Sequence, residues 1–272
     1  MTTTKKILGI SSIIALGSFA VGCGSNDNDS SVLNVGATAI PHSEILTQVV
    51  PVLEEQGITL EITVFDDFNI PNLALDAGDV DANFFQHVPF LENFNANNDT
   101  NLVPVFGVHF EPLRVYAGRL DSIATIPNGA EIAIPDDPTN EARALQLLEA
   151  LGIIGLPQGI GLNARASDIS YNPNNVTVTP LAAHLLPNTL PDVDFAIING
   201  NVALNGGVID LAIDGAGEDP ASEAAQRFTN YIVVRDGDQN SDAIQALVNA
   251  INSPEIRNFI ETNYAGRIVP QF

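Results

Sequence analysis

The sequence predicts an α/β protein of two lobes. A strand–helix–strand unit opens the folded part, and the same alternation recurs further along. The roughly 250 residues that follow a secretion signal also exceed the commonest size of a single domain.

The chain starts with Lys5 and Lys6, a weakly polar run over 7–21, and small residues before Cys23, its only cysteine. A positive start, a short apolar stretch and a cysteine after small residues describe a signal that ends in lipid attachment at Cys23. A membrane span is the alternative, but the run falls short of the ~20 residues that crossing a bilayer requires. Residues 24–31 (GSNDNDSS) read as a disordered tether reaching at most ~3.5 Å per residue. The protein is thus expected outside the cytoplasm, anchored to a membrane and facing the periplasm or exterior. With one cysteine it has no internal disulfide to rely on.

Folding begins at Val32. Residues 32–36 (VLNVG) form a buried strand, and 41–56 a helix with Ile45, Val49, Val52 and Leu53 on one face. Pro51 is placed to kink that helix, and Gly57 to end it. A period-two strand follows, with Ile58, Leu60, Ile62 and Val64 opposite Thr59, Glu61 and Thr63. Further on, 74–78 closes a short helix, 130–134 is a strand, 140–151 a helix and 195–198 a strand. Two β-rich runs, 113–117 (LRVYA) and 231–235 (YIVVR), stand where the pattern changes and read as the passages between lobes. Ser241 is expected to cap a helix carrying Ile244, Leu247, Val248 and Ile251, and Ser253-Pro254-Glu255 opens the last helix. The expected organisation is 1–22 signal, 23–31 lipidated tether, 32–115 first part of lobe I, 116–234 lobe II, and 235–272 second part of lobe I.

Charge narrows the function. Cleavage before Cys23 removes both lysines and leaves eight Arg against 33 Asp plus Glu, a net charge of −25. Such a surface repels phosphate backbones, so nucleic acid is not expected as a partner. Lysine-based Schiff-base chemistry and Walker-type phosphate binding are excluded. Dense carboxylates with Arg in place of Lys suit a saline or alkaline exterior.

Three segments could carry chemistry. Residues 78–90 (GDVDANFFQHVPF) with 65–69 (FDDFN) concentrate aromatic, amide and imidazole groups in a turn-rich stretch, where Phe65 and Phe84 read as core. Residues 134–143 (IPDDPTNEAR) run from a strand into a helix start, where free N–H groups and the Arg143 fork suit a carboxylate. The alternative there is a surface Arg paired with Asp136 or Glu141. Asn199, at the end of the strand 196–198, sits where open α/β sheets bind ligands, unless it merely forms a turn beside Gly200.

Five segments, GDVDANFFQHVPFLE, HFEPLRVYAG, IPDDPTNEARALQLLEALG, AIINGN and SPEIRNFIETNYAGRIVPQF, resemble the NlpA lipoprotein family across essentially the whole mature chain, in order. These are methionine-binding lipoproteins of ABC importers. The resemblance implies a two-lobed, type II periplasmic-binding-protein architecture with two crossover strands, and an amino acid held between the lobes. It implies that Arg143 clamps the ligand carboxylate, that Asn140, Asn199 and Asn230 bond the amino and carboxylate groups, and that Phe68, Phe85, His87 and Phe90 wall the side-chain pocket. The partners it implies are methionine or an analogue and an ABC permease with its ATPase on separate chains. Family members often carry Tyr where this chain has Phe68 and Phe90, so its pocket should be more apolar. L-methionine, D-methionine, methionine sulfoxide and other apolar amino acids stay open.

Catalysis and metal capture find little support. There is no G-x-S-x-G elbow, and the four His, at 42, 87, 109 and 184, form no H-E-x-x-H. His109 and Glu111 make only an H-x-E pair. No cofactor, metal or enzymatic activity is expected. A surface or chemosensory lipoprotein of the same fold, binding another small apolar amino acid without feeding a transporter, is the remaining alternative.

Overall fold

Alternating Leu33, Val35 and Ala37 bury one face of the first folded strand, which is buried on both faces only from Val35 onward, while Val32, expected inside it, is 50% exposed. The structure, a computed structural model, describes residue 2, residues 31–222 and residues 226–272. The expected signal and Cys23 lie outside the described residues. Among those described, no helix is long and apolar enough to cross a membrane.

In the first sheet, β1 (Ser31–Thr38) pairs in parallel with β2 (Ile58–Phe65) and β3 (Ala82–His87). Antiparallel strands β4 (Leu102–Phe110), β10 (Thr229–Arg235) and β11 (Val269–Pro270) complete six strands in the order β11-β4-β10-β3-β1-β2. Helices α1 (Glu44–Glu54), α7 (Asp242–Ile251) and α8 (Pro254–Tyr264) close one core against this sheet. Helices α2 (Ile70–Ala77) and α3 (Val88–Asn98) close a smaller one through Leu75, Leu91 and Phe94.

The second sheet has five strands in the order β7-β6-β8-β5-β9, from β5 (Arg114–Ala117), β6 (Glu131–Pro135), β7 (Thr177–Leu181), β8 (Phe195–Ile198) and β9 (Ala212–Gly217). Helix α4 (Pro138–Ala150) contributes to one core. Helices α5 (Leu186–Thr189) and α6 (Gly200–Asn205) contribute to another through Leu186, Val202 and Ala203. Both sheets are mixed, with parallel strands meeting antiparallel neighbours that return from the other lobe.

Several local expectations shift. Val52 is 44% exposed and Leu46 is buried in its place, because the buried stripe of α1 centres nearer Val49 and Leu53 and leaves Val52 at its rim. On the edge strand β2, Ile58 and Leu60 are buried but Val64 is half exposed. The stretch read as turn-rich is a fully buried strand, β3, running directly into α3. Ser241 takes the extended conformation of a cap without a side-chain bond, whereas Ser253 Oγ accepts from the Ile256 N–H at 3.4 Å. Of the two β-rich runs, β5 lies wholly in the second sheet and β10 wholly in the first. The changes of sheet therefore fall within 111–113 and 218–228, just ahead of each run.

Candidate functional site

The C-terminal ends of parallel strands from both sheets point into one cleft, the position that open α/β sheets reserve for ligands. From the first sheet come β1, β2 and β3, and from the second β6 and β8. Phe68, Phe85, His87, Phe90, Asn140, Arg143, Asn199 and Asn230 all line a single cavity of about 310 Å³, counting its mouth. Wider spaces of about 860 and 640 Å³ flank it toward solvent, and Phe68 borders all three.

The aromatic wall belongs to the first lobe. The rings of Phe68 and Phe85 stack at 6.1 Å, and Phe90 meets both edge-on, at 6.1 and 5.8 Å. These are the offset and edge-to-face arrangements that ring quadrupoles favour. Strict alternation would not turn three consecutive residues of β3 toward one cavity, yet Phe85, Gln86 and His87 all line it. A bulge explains this: β10 pairs Tyr231 with Gln86 and Ile232 with Phe84, so Phe85 is the extra residue. Behind the wall, Gln86 exchanges two hydrogen bonds with buried Asn72, at 2.8 and 2.5 Å, and donates to Asn83 at 3.0 Å.

His87 Nδ1 accepts the Phe90 N–H at 3.2 Å, which leaves Nε2–H to donate to Asn140 Oδ1 at 3.1 Å. This bond crosses from one lobe to the other. Burial, with the nearby Arg143 charge adding to it, lowers the His87 pKa to about 3 and keeps the ring neutral.

The polar wall belongs to the second lobe. Asp137 caps α4, accepting from Asn140 N at 3.0 Å and from Asn140 Nδ2 through both carboxylate oxygens. The helix start expected to receive an anion through free N–H groups is therefore occupied by the protein's own carboxylate, as an N-cap aspartate does. Burial raises the Asp137 pKa, opposed by these bonds from Asn140. Asn199 Nδ2 donates to Asn140 Oδ1 at 3.1 Å, while Asn199 Oδ1 is buried with no protein partner among the described residues. An orphan buried acceptor is costly unless something donates to it.

Arg143 is 3% exposed and not a surface charge. Its partner is neither Asp136 nor Glu141 but Glu218, which takes Nε at 2.6 Å and also Nη2. Nη2 donates again to the Glu111 carbonyl at 2.8 Å. The guanidinium lies 4.3 Å from the Phe228 ring centre, a cation–π contact.

Glu111, Gln86 and Asn201 also line the cavity and were not expected there. Glu111 Oε1 accepts from His109 at 2.8 Å and lies 3.4 Å from His42 Nε2, while Oε2 accepts from Asn201 N at 2.8 Å. His42 also donates to Asn230 Oδ1 at 3.2 Å and accepts from Thr38 at 2.7 Å. Ligand atoms of His42, His109 and Glu111 lie within 4.8 Å of one another, as a metal set would require. Their contacts here are those of a hydrogen-bond network. Burial is the main cause that lowers both imidazole pKa values to about 3 and raises that of Glu111. The H-x-E spacing was the only sequence signal of this network, and it lacked His42.

A family model for NlpA lipoprotein matches residues 33–272. The chain belongs to the NlpA lipoprotein family. Among relatives of this NlpA lipoprotein, methionine-binding lipoprotein MetQ of Bacillus subtilis is 34% identical over 277 residues, covering 98% of each chain. A solved nutrient-binding protein from Burkholderia cenocepacia, bound to methionine, is 36% identical with a TM-score of 0.82, covering 88% of this chain and all of that one. A periplasmic substrate-binding protein of an ABC transporter from Coxiella burnetii is 33% identical with a TM-score of 0.81, again covering 88% and all. The two-lobed α/β architecture of the NlpA lipoprotein is thus shared with its solved relatives.

Proposed function

We propose that this NlpA lipoprotein is an extracytoplasmic solute-binding protein, anchored through lipid on Cys23, that captures methionine or a related amino acid and delivers it to an ABC importer. The observation that carries the reading is the meeting of unlike walls: three phenyl rings from one lobe face Arg143, Asn140 and Asn199 from the other across one cavity. A thioether or alkyl side chain gains from the rings, by ~0.3–1.5 kcal/mol for sulfur against an aromatic. A carboxylate and an ammonium suit the remaining donors of Arg143 and the free Asn199 oxygen. The relative bound to methionine and the relative named as part of an ABC transporter support the ligand class and the transport role.

In this reading the lobes, whose bounds shift from those expected to 31–110 with 229–272 and 114–217 because β5 belongs to the second sheet and β10 to the first, close about the ligand. The closed form is favoured because the ligand bonds to both walls only there. A separate permease and its ATPase then receive the closed form. The protein carries out capture and no covalent chemistry. Native mass spectrometry of the purified protein tests the reading directly, since a retained amino acid identifies itself by mass. Calorimetry should then show binding of methionine and none of its methyl ester. Equal binding of the ester would overturn the carboxylate clamp.

A further inference from the structure

Arg143 offers five N–H donors in a rigid fork. The protein takes three of them: Nε and one Nη2 hydrogen through Glu218, and the other Nη2 hydrogen through the Glu111 carbonyl. Nη1 donates to no group among the described residues, so it is the edge left for a ligand. Glu218 itself does not line the cavity. It is held from behind, its N–H donating to the Leu113 carbonyl at 3.0 Å and its Oε2 accepting the Leu113 N–H at 2.8 Å. Leu113 lies in the first passage between the sheets, so the carboxylate is tied to the frame and not to the ligand.

Two consequences follow for selectivity. The guanidinium cannot rotate to offer its Nε–Nη2 edge, so a ligand carboxylate is met end-on through Nη1. The charges matter more. A ligand carboxylate entering beside Arg143 joins one buried cation already paired with one carboxylate, which leaves an excess negative charge in a low-dielectric site. A ligand that brings its own ammonium cancels that excess.

We propose that Glu218 is a specificity-determining positioning residue that makes the cavity select a net-neutral 2-amino acid over the isosteric 2-hydroxy acid anion. The proposal rests on the amino-acid reading above. Glu111 and the neutral His87 are common to wild type and variant, so their charges drop out of the comparison.

The test measures calorimetric affinities for L-methionine and for 2-hydroxy-4-(methylthio)butanoate, in wild type and in Glu218→Gln and Glu218→Asp. Wild type should prefer methionine. In Glu218→Gln that preference should fall by about tenfold or more, because Arg143 and a lone carboxylate already balance. Glu218→Asp keeps the charge but shortens the reach, so both affinities should weaken with the preference retained. A Glu218→Gln preference within twofold of wild type, or equal loss of both ligands, would overturn the proposal. If Glu218→Gln does not fold, unchanged affinities in Glu218→Asp would overturn it and a parallel loss would support it. Wild type that binds neither compound would instead defeat the amino-acid reading itself.

Discussion

Arg143→Ala leaves Glu218 without its partner in a site where that carboxylate is only 12% exposed. Breaking one side of a buried pair costs about 3–5 kcal/mol, so the variant should melt well below wild type and bind no methionine. From the sequence, a clamp residue could be expected to be lost without harm to stability. The buried pair changes that expectation. Arg143→Ala with Glu218→Gln removes both charges, and should recover most of the lost stability while binding stays absent. Thermal melts with calorimetry separate the two roles, since recovery of binding in the double variant would show that Arg143 only supports the fold. Seven of the eight expected cavity residues lie in segments whose composition singles them out, whereas Asn230, just ahead of the run 231–235, was implied by the family resemblance alone. Glu218 was not legible, because it stands 75 positions from Arg143 in a loop whose own sequence gives no reason to face inward.

Among the elements, the histidine network sets a pH dependence. His42, His87 and His109 have folded pKa values of about 3, below the 6.5 of a free imidazole. The unfolded chain therefore protonates first, so their contribution is fully present above about pH 6.5 and is lost as pH falls toward 3. Each adds a slope of about 1.4 kcal/mol per pH unit in that window. Glu111 acts oppositely: its raised pKa means the folded state takes up a proton first, which offsets part of the slope. Unfolding free energies from urea melts should fall between pH 7 and 5, and His109→Gln should flatten that fall by up to about 1.4 kcal/mol per unit toward the acid end. An unchanged slope would mean that His109 titrates normally. Gly118, just after β5, is a second element-scale test. A Cβ there would lie 2.4 Å from the Val193 carbonyl oxygen and 2.7 Å from that of Leu190. These are backbone atoms that cannot swing aside, so Gly118→Ala should cost about 1–3 kcal/mol or more in chemical denaturation. Strand and helix existence was readable from periodicity, as in β2 and α7. The bulge at Phe85 was not, because pairing with β10, some 145 positions away, decides which residue is extra.

For the whole molecule, the proposed closure would set two acidic rims against each other. Asp66 and Asp67 from the first lobe and Asp136 and Asp137 from the second line the same space at the mouth. They belong to a chain of net charge −23. Bringing the rims together costs repulsion that the ligand must offset, whereas a zwitterion has no net charge for that field to attract. Added salt shortens the reach of the repulsion, from ~30 Å at 0.01 M to ~8 Å at 0.15 M and ~3 Å at 1 M. Methionine affinity should therefore rise several-fold as salt is raised, the opposite of what direct ionic capture would show. Asp66→Asn with Asp136→Asn, two exposed positions outside the inner cavity, should raise affinity at low salt and largely remove the salt dependence. Calorimetry across a salt series decides the matter. Affinity that falls with salt in wild type would mean that the acidic rims do not resist closure and that long-range charge assists capture.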